Sequence, residues 1–127
     1  MRKIAIIDDD EVFQLIIRKQ IEMNNFAFEI LNFSNGADGI NYLTGNAEKP
    51  DQLPHLIMLD VNMPIKNGWE FLEEYGALDK EIRNSISLYM VTSSVIQSDI
   101  DKVQRDKNVL AFISKPITNQ KLEEMLG

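Results

Sequence analysis

Apolar residues in this chain fall into two kinds of run that alternate along its length. Short, dense runs span Ile4 to Ile7, Phe28 to Phe33, Leu56 to Leu59, Ile86 to Val91 and Val109 to Ile113. Runs of this length, bounded by polar residues, predict strands, and the most apolar of them predict strands buried on both faces of a parallel sheet. Between them the apolar residues recur at helical spacing. Val12, Leu15, Ile16, Ile21 and Met23 follow Asp10, a candidate N-cap, and Ile40 and Leu43 follow a start at Ser34-Asn35. Trp69, Phe71, Leu72 and Tyr75 follow the turn pair Asn67-Gly68. Ile96, Ile100 and Val103 form a weaker stripe with Ser98-Asp99 as candidate caps, and Leu122, Met125 and Leu126 close the chain after Lys115-Pro116. Thr44 to Pro54 is polar, carries Gly45, Pro50 and Pro54, and predicts a loop long enough to be an insertion. Strands alternating with helices in this way predict an α/β fold, a (βα)5 doubly wound sandwich with right-handed crossovers.

Composition narrows the function classes. The 127 residues are one domain's worth and bury roughly two thirds of the surface that the unfolded chain exposes. At 44% hydrophobic and 26% charged the chain is an ordinary globular sequence. Its net charge of -7 argues against nucleic acid and anionic membranes as partners, because both select for Lys and Arg. There is no cysteine, hence no thiolate chemistry or disulfide framework. The opening Met1-Arg2-Lys3 is followed by only four apolar residues before Asp8-Asp9-Asp10, short of the roughly 7 to 15 of a signal peptide. No stretch approaches the ~18 apolar residues of a membrane span. The expectation is a cytoplasmic protein whose residues 1–127 form one domain with no room for an output domain.

Four polar signals then stand out, each with an ordinary explanation when taken alone. Asp60 ends the third apolar run and could simply begin a turn. Asp8-Asp9-Asp10 could be a solvated loop whose last acid caps a helix, but adjacent acids at a strand end also make a site for a hard divalent cation. Thr92 could be a strand end, and Lys115 a loop cation before a proline. Their joint placement is what carries weight. In one parallel sheet the acids of strands one and three, the hydroxyl of strand four and the lysine of strand five all emerge at the same edge. A Mg²⁺ site beside a carboxylate nucleophile, a hydroxyl and an ammonium is the equipment for phosphoryl transfer to aspartate.

In these motifs the chain resembles the receiver domains of two-component response regulators over essentially its whole length. The matching segments are Ile7-Asp8-Asp9-Asp10, Leu59-Asp60-Val61-Asn62-Met63-Pro64, Asn67-Gly68, Val91-Thr92-Ser93 and Lys115-Pro116. It is similar to the stand-alone type typified by the bacterial chemotaxis motor regulator. The resemblance implies a flavodoxin-like sheet of order 2-1-3-4-5 and phosphorylation of Asp60 by a sensor histidine kinase or histidine phosphotransfer protein. It implies Mg²⁺ held by the side chains of Asp9 and Asp60 and the Asn62 carbonyl, with Asp8 assisting through water. Lys115 and Thr92 would contact the phosphate, Ser93 would be the small residue beside the switch hydroxyl, and Phe112 the aromatic switch. Signalling would use the face of the fourth helix, fifth strand and fifth helix, and Asn62 and Ser94 would border the path of hydrolytic water. The downstream target is unspecified.

Other readings remain open at this stage. A haloacid dehalogenase-type phosphatase places a second acid two residues after the nucleophile, where this chain has Asn62, and an amide cannot serve as that acid. A flavodoxin-like cofactor binder lacks its phosphate loop after strand one, where three acids would repel the ligand. A pseudo-receiver is opposed by the intact Asp60, Thr92 and Lys115. A phosphorelay shuttle would use the same chemistry as an effector. Phe112 also reads as an ordinary core aromatic, Trp69 as the core side of the third helix, and the single histidine, His55, as a strand-boundary residue.

Overall fold

A computed structural model describes residues 2–93 and 96–127. Five parallel strands, β1 (Arg2–Ile7), β2 (Phe28–Phe33), β3 (Leu56–Leu59), β4 (Ser87–Thr92) and β5 (Val109–Ser114), lie in the order β2-β1-β3-β4-β5. The helices are α1 (Glu11–Met23), α2 (Gly36–Gly45), α3 (Gly68–Tyr75), α4 (Lys80–Asn84), α5 (Gln97–Gln104) and α6 (Asn119–Leu126). The expected alternation holds, with one helix more than the hydrophobic pattern announces. α4 is five residues long, carries Ile82 as its single apolar residue and is started by Asp79, whose side chain accepts from Glu81 N. Five residues are too few for periodicity to register. The expected fourth and fifth helices are therefore α5 and α6.

Alternation along the strands sorts the core into two layers. Ala5, Ile7, Ile57, Leu59, Leu88 and Met90 face one way and pack under α2, α3 and α5 through Ile40, Leu43, Phe71, Leu72 and Val103. Ile4, Ile6, Leu56, Met58 and Val91 face the other way, under Phe13, Ile17 and Ile21 of α1 and Leu122, Met125 and Leu126 of α6. β1 and β3, with helices on both faces, are thereby apolar at every described interior position, as the continuous runs in the sequence require.

On α1 the buried stripe is Phe13, Ile17 and Ile21, not the expected Val12, Leu15 and Ile16, which are exposed along with Met23. Two apolar stripes compete on this helix; Asp10 fixes where it starts, its carboxylate accepting from Val12 N and Phe13 N, and packing on the sheet selects the stripe that is buried. The far end is a Schellman motif. Asn25 takes φ 58° as the left-handed residue, its N–H reaching Glu22 O while Phe26 N reaches Ile21 O.

The expected loop from Thr44 to Pro54 is partly ordered by its own contacts. α2 runs on to Gly45, a 3-10 turn spans Pro50–Gln52, and the Tyr42 hydroxyl donates to Gln52 O at 2.6 Å. Leu53 enters the core. α5 starts at Gln97 with Ile96 at its N-cap and no side-chain cap, so Ser98 and Asp99 lie inside the helix and do not cap it.

β5 departs from regular pairing in a way that matters for the site. Leu88 pairs with Val109 but Tyr89 with Ala111, so Leu110 is passed over, and it stands 61% exposed. The extra residue reverses the alternation. Val109 and Phe112, three apart, pack against the same core layer, while Ile113 joins the other.

Candidate functional site at the carboxyl edge of the sheet

The strand order reverses direction between β1 and β3, and a doubly wound sheet opens a crevice at that point beyond the strands' carboxyl ends. Ile7 pairs with Leu59, so the next residues, Asp8 and Asp60, leave the sheet at the same level. Asp60 N donates to Ile7 O at 3.0 Å. Both acids are buried, Asp8 at 2% exposure and Asp60 at 8%, whereas Asp9 is exposed. One carboxylate oxygen from each of the three lies within 4.8 Å of the others.

Lys115 closes the cluster from β5. Its ammonium is 2.7 Å from Asp8 Oδ2 and 3.9 Å from Asp60 Oδ2, and it rests 4.3 Å above the Phe13 ring. Its backbone N–H donates to Thr92 O at 3.0 Å, which ties the ends of β4 and β5 together. Burial pushes the Asp8 carboxyl up to about 6; the Lys115 ammonium and the Asp10 N–H oppose that rise, and the Asp60 charge adds to it. Two buried carboxylates and one ammonium leave an excess of negative charge, which is a setting for a cation.

The loop after β3 is held against the site at both stems. Gly68 N donates to Val61 O at 2.8 Å, and a Cβ on Gly68 would lie 2.3 Å from Asp60 O, so glycine is required there. Gly36 N donates to Lys66 O at 2.9 Å, again where a Cβ would collide. Asn67 and Glu70 form a capping box that starts α3. Between the stems Lys66 N reaches Pro64 O at 2.7 Å, a γ-turn centred on Ile65 at φ 67°. This form of the γ-turn is rare and strained, and more so for a β-branched residue. The Ile65 side chain is 80% exposed.

The structure brings Asp8, Asp9, Asp60, Thr92 and Lys115 to one edge. Thr92 is buried at the end of β4, and Ser93 beside it is exposed. Asn62, two residues past Asp60, is exposed, and Ser94 lies outside the described residues. Phe112 is half-buried against the core layer under α5, next to its partner Met90. Trp69 is also half-buried; its ring carries the Lys102 ammonium of α5 at 4.4 Å, so it bridges α3 and α5 and does not sit wholly in the core. His55 is exposed where β3 begins, its Nδ1 accepting from Lys3 N at 3.3 Å. Sequence reasoning missed Gln14, Asn32 and Phe13, which stand behind and below the acids. Nothing in their spacing marks them, because their relation to Asp8 and Lys115 exists only once α1 lies on the sheet.

A doubly wound parallel sheet with an acidic pocket and a lysine at its switch edge defines the class. The response regulator receiver domain model matches residues 4–127, and the chain belongs to that family, as a receiver domain of the two-component systems. It is similar to the two-component response regulator of Cytophaga hutchinsonii, with a TM-score of 0.87 and 26% identity over 98% of this chain and 93% of that one. The response regulator receiver protein of Dyadobacter fermentans matches with a TM-score of 0.85 and 27% identity, over 99% of this chain and 95% of that one. The transcriptional regulatory protein HptR of Staphylococcus aureus is 24% identical over all of this chain and 46% of its own length. The chain thus spans about half the length of the curated relatives it matches. No helix among the described residues is long and apolar enough to cross a membrane.

Proposed function

We propose that Asp60 accepts a phosphoryl group from the phosphohistidine of a sensor histidine kinase or histidine phosphotransfer protein. The carrying observation is its placement: a carboxylate only 8% exposed at the end of the central strand, sharing a pocket with two more acids and 3.9 Å from Lys115. The P–O bond to Asp60 forms as the donor's P–N bond breaks, the electron pair leaving on the imidazole. Asp60 Oδ1 accepts from Val61 N at 2.8 Å, which orients the carboxylate with Oδ2 toward Lys115. The ammonium, released from Asp8, neutralises charge on the transferred oxygens.

Asp9, Asp60 and the Asn62 carbonyl would hold Mg²⁺, with Asp8 assisting through water. The donors are all hard oxygens, as Mg²⁺ prefers, and one carboxylate oxygen from each of the three acids already lies within 4.8 Å of the others. Bound there, the ion offsets the repulsion between the carboxylate and the incoming phosphate. A shallow groove of about 290 Å³, lined by Val12, Phe13, Ile16 and Ile117 and reaching Ser93 and Lys115, supports docking of an apolar donor surface beside the pocket. Thr92 would engage the phosphate, with Ser93 the small residue beside it, and Phe112 would repack as Thr92 shifts, altering the face of α5, β5 and α6 that a target reads. In this reading the protein is a phosphoacceptor that signals and not a turnover enzyme.

Incubation with Mg²⁺ and acetyl phosphate, followed by intact-mass spectrometry, should add one phosphate to the native protein and none to Asp60→Asn. Failure of the native protein to label, or equal labelling of the variant, would refute the proposal.

A further inference from the structure

We infer that Gln14 is a positioning residue for the cation site, fixing the backbone that carries Asp8 and Asp9; the inference rests on the reading of that site given above. Gln14 lies four residues past the cap of α1, and its Nε2 is 3.1 Å from each of three carbonyl oxygens, those of Ile6, Asp8 and Phe33. Carbonyls only accept, so the amide must turn its nitrogen toward them and its oxygen away. Asn32 Nδ2 donates into that oxygen from β2, and Arg18 Nη2 in turn donates to Asn32 Oδ1 at 3.0 Å. The chain of bonds therefore has one direction, and each member sets the orientation of the next.

The site needs this support because the strand ladder stops short of it. β1 ends at Ile7 and β2 at Phe33. Beyond them, Asp8 N donates to Phe33 O at 2.9 Å, and Gln14 Nε2 donates both to that same Phe33 carbonyl and to the carbonyl of Asp8 itself. The Asp8 carbonyl belongs to the peptide that leads into Asp9. Among the described residues no side chain pairs with the Asp9 carboxylate, so the backbone that carries it is what limits where it can reach. Three adjacent acids repel one another, and a freely hinged Asp8-Asp9 peptide would let them splay. Mg²⁺ demands near-octahedral geometry, which makes its affinity sensitive to such slack. Groups that orient metal ligands from behind typically change affinity by about 10–100-fold when removed.

The test is calorimetric titration of Mg²⁺ into four metal-free proteins: native, Gln14→Met, Asn32→Ala and Ile17→Val. Gln14→Met keeps length and volume but loses the donor and should weaken Mg²⁺ binding about tenfold. Asn32→Ala, at an exposed position that does not threaten folding, frees the glutamine amide to rotate and should weaken binding in the same direction. Ile17→Val trims the core face of α1 without touching the carbonyls; it should lower the melting temperature and leave the Mg²⁺ affinity at its native value. Labelling of Gln14→Met by acetyl phosphate should return to the native rate at saturating Mg²⁺. Native affinity in both polar variants, or an equal loss in Ile17→Val, overturns the inference while leaving the site reading intact. A native protein that binds no Mg²⁺ overturns both.

Discussion

Two residues carry energetic liabilities that can be measured. Ile65 holds a left-handed backbone because its loop is pinned at Val61, Gly68 and Gly36, not because the residue favours it. Asparagine tolerates that region far better, and Ile65→Asn should raise the urea midpoint by an amount equivalent to about 1 kcal/mol. An unchanged midpoint would mean that the turn relaxes in solution. Tyr75 is buried and stacked on Phe71 at 5.8 Å between ring centroids, while its hydroxyl finds no hydrogen-bond partner among the described residues. Burial, with a smaller push from Asp106 and against the pull of Arg83, drives its pKa from 10.0 up to about 12. The folded state therefore keeps a proton that the unfolded chain releases. The resulting stability is fully present below pH 10 and is lost as pH rises toward 12. Tyr75→Phe should remove this alkaline decline and, by deleting an unpaired buried polar group, gain about 1 kcal/mol at neutral pH. Melting curves of the two proteins between neutral pH and pH 12 that stay parallel would contradict this assignment.

At the scale of elements, the bulge at Leu110 decides which way the end of β5 faces. It places Phe112 under α5 and Ile113 under α1 and α6, and the backbone then delivers Lys115 to the side of Phe13 and Asp8. Deleting Leu110 restores plain alternation and sends each following side chain to the opposite layer. We expect the deletion to abolish labelling of Asp60 by acetyl phosphate and to lower the unfolding midpoint sharply. Leu110→Ser, which preserves the residue count at an exposed position, should leave both within about 0.5 kcal/mol of native behaviour. Equal labelling of the two variants would show that the bulge is incidental. The element boundaries were otherwise legible wherever a cap, an acid or a proline stood at the edge of an apolar run, as at Asp10, Asn35 and Asn67. They were not legible at α4, too short to show a period, nor at α5, which starts without a side-chain cap.

For the whole molecule, the sequence by itself determined the alternation of strands and helices, the parallel sheet and the gathering of Asp8, Asp60, Thr92 and Lys115 at one edge. Each of these follows from local periodicity together with the handedness of crossovers, so short stretches of chain carry the information. Only the tertiary structure decided which of two apolar stripes on α1 turned inward, that Lys115 rests between Asp8 and the Phe13 ring, and that Gln14 reaches carbonyls on two strands. Those outcomes depend on groups far apart in the chain meeting at fixed distances, and packing, not residue pattern, sets such distances.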